Sequence, residues 1–127
     1  TSVETDRVRQ FVREVVKAAR PAGVKITRRP PKRIVVRVKV KKPGAAARKQ
    51  ALRKVRRKVV FAFRGTGRTT GFQCRLDRQK YKKCKSPRTY RLRPGKHTVR
   101  IRPLYPSGKP GNERTVKFRI VTRVDRH

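Results

Sequence analysis

The stretch "FQCRLDRQKYKKCKSPRTYRLRPGKHTVRIRP", residues 72–103, carries both cysteines of the chain and its densest run of strand and turn signals. Phe72, Cys74 and Leu76 alternate with polar residues, as do Tyr90 with Leu92 and Val99 with Ile101, which is the period of half-buried strands. Pro94-Gly95 marks a turn between them. With "QCRLD" and "KYKKC" as antiparallel arms joined near Asp77 to Lys80, Cys74 and Cys84 fall across from each other at the open end of a hairpin, within disulfide reach. A zinc site needs further ligands at suitable spacing, and the only histidines, His97 and His127, form no paired cluster. A thioredoxin-like redox pair would be Cys-x-x-Cys beside a βαβ unit, and neither pattern is present. A hairpin disulfide, which implies an oxidising compartment, fits the spacing best; two unpaired core thiols stay open for a cytosolic protein.

Working outward, "IVVRVKVKKPG" (34–44) sets Ile34, Val36, Val38 and Val40 on one face and Arg37, Lys39 and Lys41 on the other, and stops at Pro43-Gly44. "KVVFAFRG" (58–65) turns Val59, Phe61 and Phe63 inward, and "GNERTVKFRIVTR" (111–123) does the same with Val116, Phe118 and Ile120. Short strands between Gly and Pro turns predict a mainly β, antiparallel β-sandwich over residues 34–122, followed by a tail at 123–127. "PAGVKITRRPPKR" (21–33), punctuated by proline, reads as a basic linker around one short extended piece. "AAARKQALRKVRRK" (45–58) fits a helix and a basic loop equally. At the start, Val8, Phe11, Val12, Val15, Val16 and Ala19 recur at helical spacing, which predicts an N-terminal amphipathic α-helix over 1–20 ended by Pro21. Its apolar stripe offers a docking face for the rest of the chain, a second copy or another protein.

Against 41 Lys and Arg stand only 6 Asp and Glu, a formal charge of +35 on 127 residues. A single domain so charged repels itself and attracts polyanions, whether nucleic acid, anionic wall polymer, acidic lipid or an acidic protein face. The outward strand positions Arg37, Lys39, Arg75, Lys82, Arg100, Arg102, Lys117 and Arg119 are all cationic. Lys41, Arg48, Lys49, Arg53, Lys54, Arg56, Arg57 and Lys58 add a second basic run. Binding by counterion release would be steeply salt-dependent, and no recognition helix or zinc-finger spacing suggests sequence readout.

The stretch from Phe72 onward resembles the bacterial immunoglobulin-like repeat of secreted and surface proteins, especially those of high-GC actinobacteria. The matching positions are Phe72, Cys74, Leu76, Asp77, Tyr81, Cys84, Ser86, Pro87, Tyr90, Leu92, Gly95, His97, Thr98, Val99 and Ile101. The resemblance implies an immunoglobulin-like, extracellular antiparallel β-sandwich with its cysteines bridged, serving as a spacer, stalk or adhesive module without catalytic residues. "PLYPSGKPGN" (103–112) departs from the family's Ala-x-Asp-x-x-Gly-Asn, the 45–58 insert is longer and more basic than usual, and the N-terminal helix lies outside the family.

Other chemistry is poorly supplied. "GTGRTTG" (65–71) lacks the Gly-Lys-Ser/Thr ending of a phosphate loop and reads as a turn between strands. His97 has no nucleophile pattern beside it, and the scattered acids form no acid and base pair, so neither an enzyme, nor a metal, nor a cofactor is expected. No apolar run reaches the roughly 20 residues of a membrane span. The chain begins at Thr1, as a processed form or fragment would. The expectation is a non-enzymatic, cationic, secreted or cell-surface module for adhesion or docking, alone or as a subunit of a surface assembly. The alternative is an intracellular, sequence-independent nucleic-acid-binding protein, cytoplasmic or nucleoid-associated, in which the disulfide is absent.

Overall fold

Apolar alternation becomes strand in the computed structural model, which describes residues 20–125. The order is β1 (Gly23–Arg28), β2 (Arg33–Lys39), α1 (Ala45–Arg53), β3 (Arg57–Thr66), β4 (Gly71–Leu76), β5 (Lys82–Cys84), β6 (Arg88–Leu92), β7 (Gly95–Leu104) and β8 (Arg114–Asp125). The expected helix over 1–20, with Val8, Phe11, Val12, Val15, Val16 and Ala19, lies outside the described residues.

The strands form a three-stranded sheet, β1-β3-β6, and a five-stranded sheet, β2-β8-β7-β4-β5. Both sheets turn their apolar faces into one core of Val24, Val59, Phe61, Phe63 and Leu92 from the first and Ile34, Cys74, Cys84, Val99, Ile101, Val116, Phe118 and Ile120 from the second. Aromatic contacts join the layers: Phe61 meets Phe118 at 5.9 Å between ring centroids, and Phe63 meets Phe72 edge-on at 4.8 Å. Phe61, Val99 and Ile101 are fully buried, each stabilising the fold by about 1.5–3 kcal/mol through removal from water.

Three expectations change with the pairing of the chain's first extended run. Residues 21–33 are not simply a linker, because β1 pairs antiparallel with β3 and buries Val24. Pro30 and Pro31 lack the N–H a ladder needs, so the run breaks there and its second half continues in the other sheet. Arriving in the same direction as β8, β2 pairs with it in parallel, Ile34 beside Ile120 and Val38 beside Val124. The arrangement is therefore mixed rather than wholly antiparallel. This pairing carries β8 through Lys39↔Asp125, so residues 123–125 belong to the sheet and not to a tail.

The 45–58 segment divides. Ala45–Arg53 is helical, though it buries no residue and Gly44 gives it no side-chain cap. Arg56 donates from Nη1 to the carbonyls of Arg53 at 3.0 Å and Val55 at 2.9 Å, tying off the helix exit before β3 begins. Residues 67–70 turn β3 into β4, and glycine is required at 67: φ is +61°, and a Cβ there would collide with the Pro21 carbonyl oxygen.

Cys74 and Cys84 form a disulfide with a Cα separation of 5.7 Å. They are not directly opposed. Phe72 faces Cys84 and Cys74 faces Lys82, so the bridge runs diagonally across the β4–β5 pair. Both sulfurs point into the core.

Candidate polyanion interface

A β-sheet presents alternate residues on opposite faces, so burying the apolar set of the five-stranded sheet commits the other parity to solvent. Across β2, β8 and β7 the register aligns Arg33, Arg119 and Lys96 on that outer face. One step along β8, Lys117 lies beside Thr98, and the next row brings Thr115, Arg100 and Arg75 together. Gln73 sits between Arg102 and Lys83. Towards the other end Arg37 lies beside Arg123, with exposed Val35 and half-buried Val121 paired between them and the first row. Neighbouring strands are about 4.8 Å apart and alternate residues about 6.8 Å apart. Cations that are next neighbours along or across these strands thus lie within one Debye length, about 8 Å at physiological salt, so their fields add.

Tyr81 anchors one corner of this face. The Arg102 guanidinium lies 3.7 Å from the Tyr81 ring centroid and that of Arg75 lies 5.7 Å from it. Arg102 Nε also donates to Gln73 Oε1 at 2.7 Å. The phenol donates to Glu113 Oε2, while Glu113 Oε1 accepts from Arg100 Nη1 at 3.2 Å. Burial, then the hydrogen bond and charge of Glu113, push the Tyr81 phenol above its ordinary 10.0, against the opposing pull of Arg102 and Arg75. Glu113 therefore neutralises part of the corner and fixes the side chains of the rest.

A second acid, Asp77, organises the hairpin entry. It adopts a left-handed backbone with φ 51°, a conformation Asp tolerates better than most residues. One carboxylate oxygen accepts from the Thr98 amide at 2.8 Å and the other meets His97 Nδ1 at 2.8 Å. His97 Nε2 faces the Arg93 carbonyl at 2.6 Å. With no nucleophile in these contacts, the pair latches the β4–β5 turn onto β7.

The basic residues expected from sequence do not form one surface. Arg37, Arg75, Arg100, Arg102, Lys117 and Arg119 share the outer face just described, and Lys39 ends its β2 row beside Asp125. Lys82 does not belong there: its register partner is Cys74, so it takes the cysteine's face at the sheet edge, and Lys83 holds the outward position. Lys41 follows β2 near the start of α1, which carries Arg48, Lys49 and Arg53 with Lys54 as its C-cap. Arg56 is spent on the helix exit, while Arg57 and Lys58 begin β3 in the opposite sheet, Lys58 beside Arg91. Arg33, Lys83, Lys96 and Arg123 lie outside the expected set; Arg33, Lys96 and Arg123 share the parity of Arg37, Arg100 and Arg119 on their strands, whereas Lys83 has the parity opposite to Lys82.

Among the described residues no helix is long and apolar enough to cross a membrane, and no group of three or more His, Cys, Asp or Glu is placed to hold a metal ion. Compared with family models and with curated proteins, the chain matches none.

Proposed function

We propose that this chain is a non-enzymatic, immunoglobulin-like module of an oxidising, extracellular setting that adheres to anionic polymers through the outer face of its five-stranded sheet. The observation that carries this is the register of that face, which stacks Arg33, Arg119 and Lys96, then Lys117, then Arg100 and Arg75, into adjoining rows. The immunoglobulin-like reading draws support from strand order. β1, β3 and β6 sit as strands A, B and E do in one sheet, and β8, β7 and β4 sit as G, F and C in the other, with β5 beside C. The bridge differs from that of antibody domains, since it joins two strands of one sheet rather than the two sheets. A disulfide persists in oxidising compartments, which favours the extracellular setting over the cytosolic one.

Nucleic acid is one polyanion such a face would hold, but the tyrosines give base recognition little support. Each ring already carries a guanidinium: Arg102 and Arg75 on Tyr81, Arg88 on Tyr90 and Arg68 on Tyr105. Base stacking needs an open aromatic face. Binding to heparin, to duplex DNA and to neutral dextran at rising salt tests the reading. Binding to both anionic chains, none to dextran, and loss of both with added salt are expected. Tight binding that survives high salt, or that chooses one base sequence, would overturn it.

A further inference from the structure

At one end of the molecule the 67–70 turn, the loop between β5 and β6, and the β7–β8 connection enclose a groove of about 1210 Å³. Among the described residues its cationic lining is Lys83, Lys85 and Arg88, and no carboxylate lines it. Arg88 has the parity of the core face, being paired with Phe61, so its side chain is half-buried rather than splayed into solvent. Its guanidinium packs over Tyr90 at 5.0 Å, and its Nε is buried without a hydrogen-bond partner among the described residues. A buried donor left open is costly unless an acceptor arrives. Beside it, Ser86 Oγ accepts from the Phe63 amide at 2.8 Å, which leaves the Ser86 hydroxyl proton to donate elsewhere.

We propose that this groove seats a pendant oxyanion of the polymer, a phosphate or sulfate ester, with Arg88 and Lys85 as its charged contacts. Guanidinium and ammonium groups are the usual partners of such oxygens. The aromatic residues of the groove are already engaged, Phe72 with Phe63 and Tyr105 with Arg68, so among the described residues a nucleobase meets no free ring there. The proposal deepens the polyanion reading and rests on it. The outer face supplies attraction without selection, and the groove selects what the polymer carries.

Amide chemical shifts followed during titration with inorganic phosphate, with a sulfated disaccharide and with a mononucleotide, at fixed ionic strength, test it. Saturable shifts confined to residues 83–89 and 104–108, produced by phosphate and by the sulfated sugar in competition, are expected. Phosphate binding tighter than sulfate, or the reverse, identifies the ester. Lys85→Gln and Arg88→Gln should each weaken this binding about tenfold, as loss of a charged hydrogen bond does. Because Lys85 is exposed, its variant keeps the test valid even where Arg88→Gln unfolds. Shifts that never saturate, that appear equally at Arg100 and Lys117, or that only the mononucleotide saturates would overturn the groove. Retention of both variants on heparin alongside that failure would leave the polyanion reading standing, whereas loss of heparin binding by the unsubstituted chain would sink that reading instead.

Discussion

The Arg102 guanidinium lies over the Tyr81 ring at 3.7 Å, and the same tyrosine donates its phenol proton to Glu113. Tyr81→Phe keeps the cation over the ring and removes only the hydrogen bond, so a loss of about 0.5–1.5 kcal/mol is expected in chemical denaturation. The raised phenol also fixes a pH effect. The folded state holds the Tyr81 proton more tightly than the unfolded chain, so the associated stability is full below the unfolded value near 10 and is lost as pH rises through the folded value. Absorbance titration should place the Tyr81 phenolate above ordinary tyrosine. Stability measured from pH 9 to 11, a window of about one unit either side of the reference value, should fall more steeply in the unsubstituted chain than in Tyr81→Phe.

Reducing the Cys74–Cys84 bridge, which closes a sequence separation of 10 residues, should cost about 2–3 kcal/mol in the chain-entropy description. Urea unfolding with and without reductant measures this, with Cys84→Ser as a control that no longer responds to reductant. An unchanged midpoint would mean that the bridge constrains little of the unfolded chain.

Asp77 combines a left-handed backbone with contacts to Thr98 and His97. Asp77→Asn keeps the backbone preference and one acceptor, whereas Asp77→Ala forfeits both contacts and strains the turn. A loss of about 1–3 kcal/mol is expected for alanine and less for asparagine, read from thermal unfolding.

Phe61 is fully buried and touches both Tyr90 and Phe118. Truncation to alanine empties the contact between the sheets and should cost about 3–5 kcal/mol. Phe72, half-buried at the groove, should cost less on the same change.

Strand parity was legible wherever a run buried one face: Val59, Phe61 and Phe63, and Val116, Phe118 and Ile120, point inward as their alternation requires. The hairpin disulfide was legible from spacing, but its diagonal register was not. A three-residue edge strand carries too few apolar residues to fix register locally, which is also why Lys82 and Lys83 exchange faces. The proline pair at 30–31 resembles a linker in sequence and serves here as a switch between sheets, a role only pairing partners reveal. Parallel pairing of β2 with β8 is equally non-local. The Tyr81 corner joins residues 32 positions apart, Tyr81 and Glu113, across a loop and a hairpin, beyond any periodicity.

On the proposed reading one face, rather than total charge, binds polyanions. This is tested most directly by the salt dependence of duplex DNA binding for two variants that each remove three charges. One carries Arg100→Gln, Lys117→Gln and Arg119→Gln from the outer face, and the other Arg48→Gln, Lys49→Gln and Arg53→Gln from α1. Each phosphate contact contributes about 0.9 to the slope of log K against log salt, so the outer-face variant should lose about 2–3 units of slope and the helix variant less than about 1. Equal losses, or a larger loss from the helix, would contradict the account.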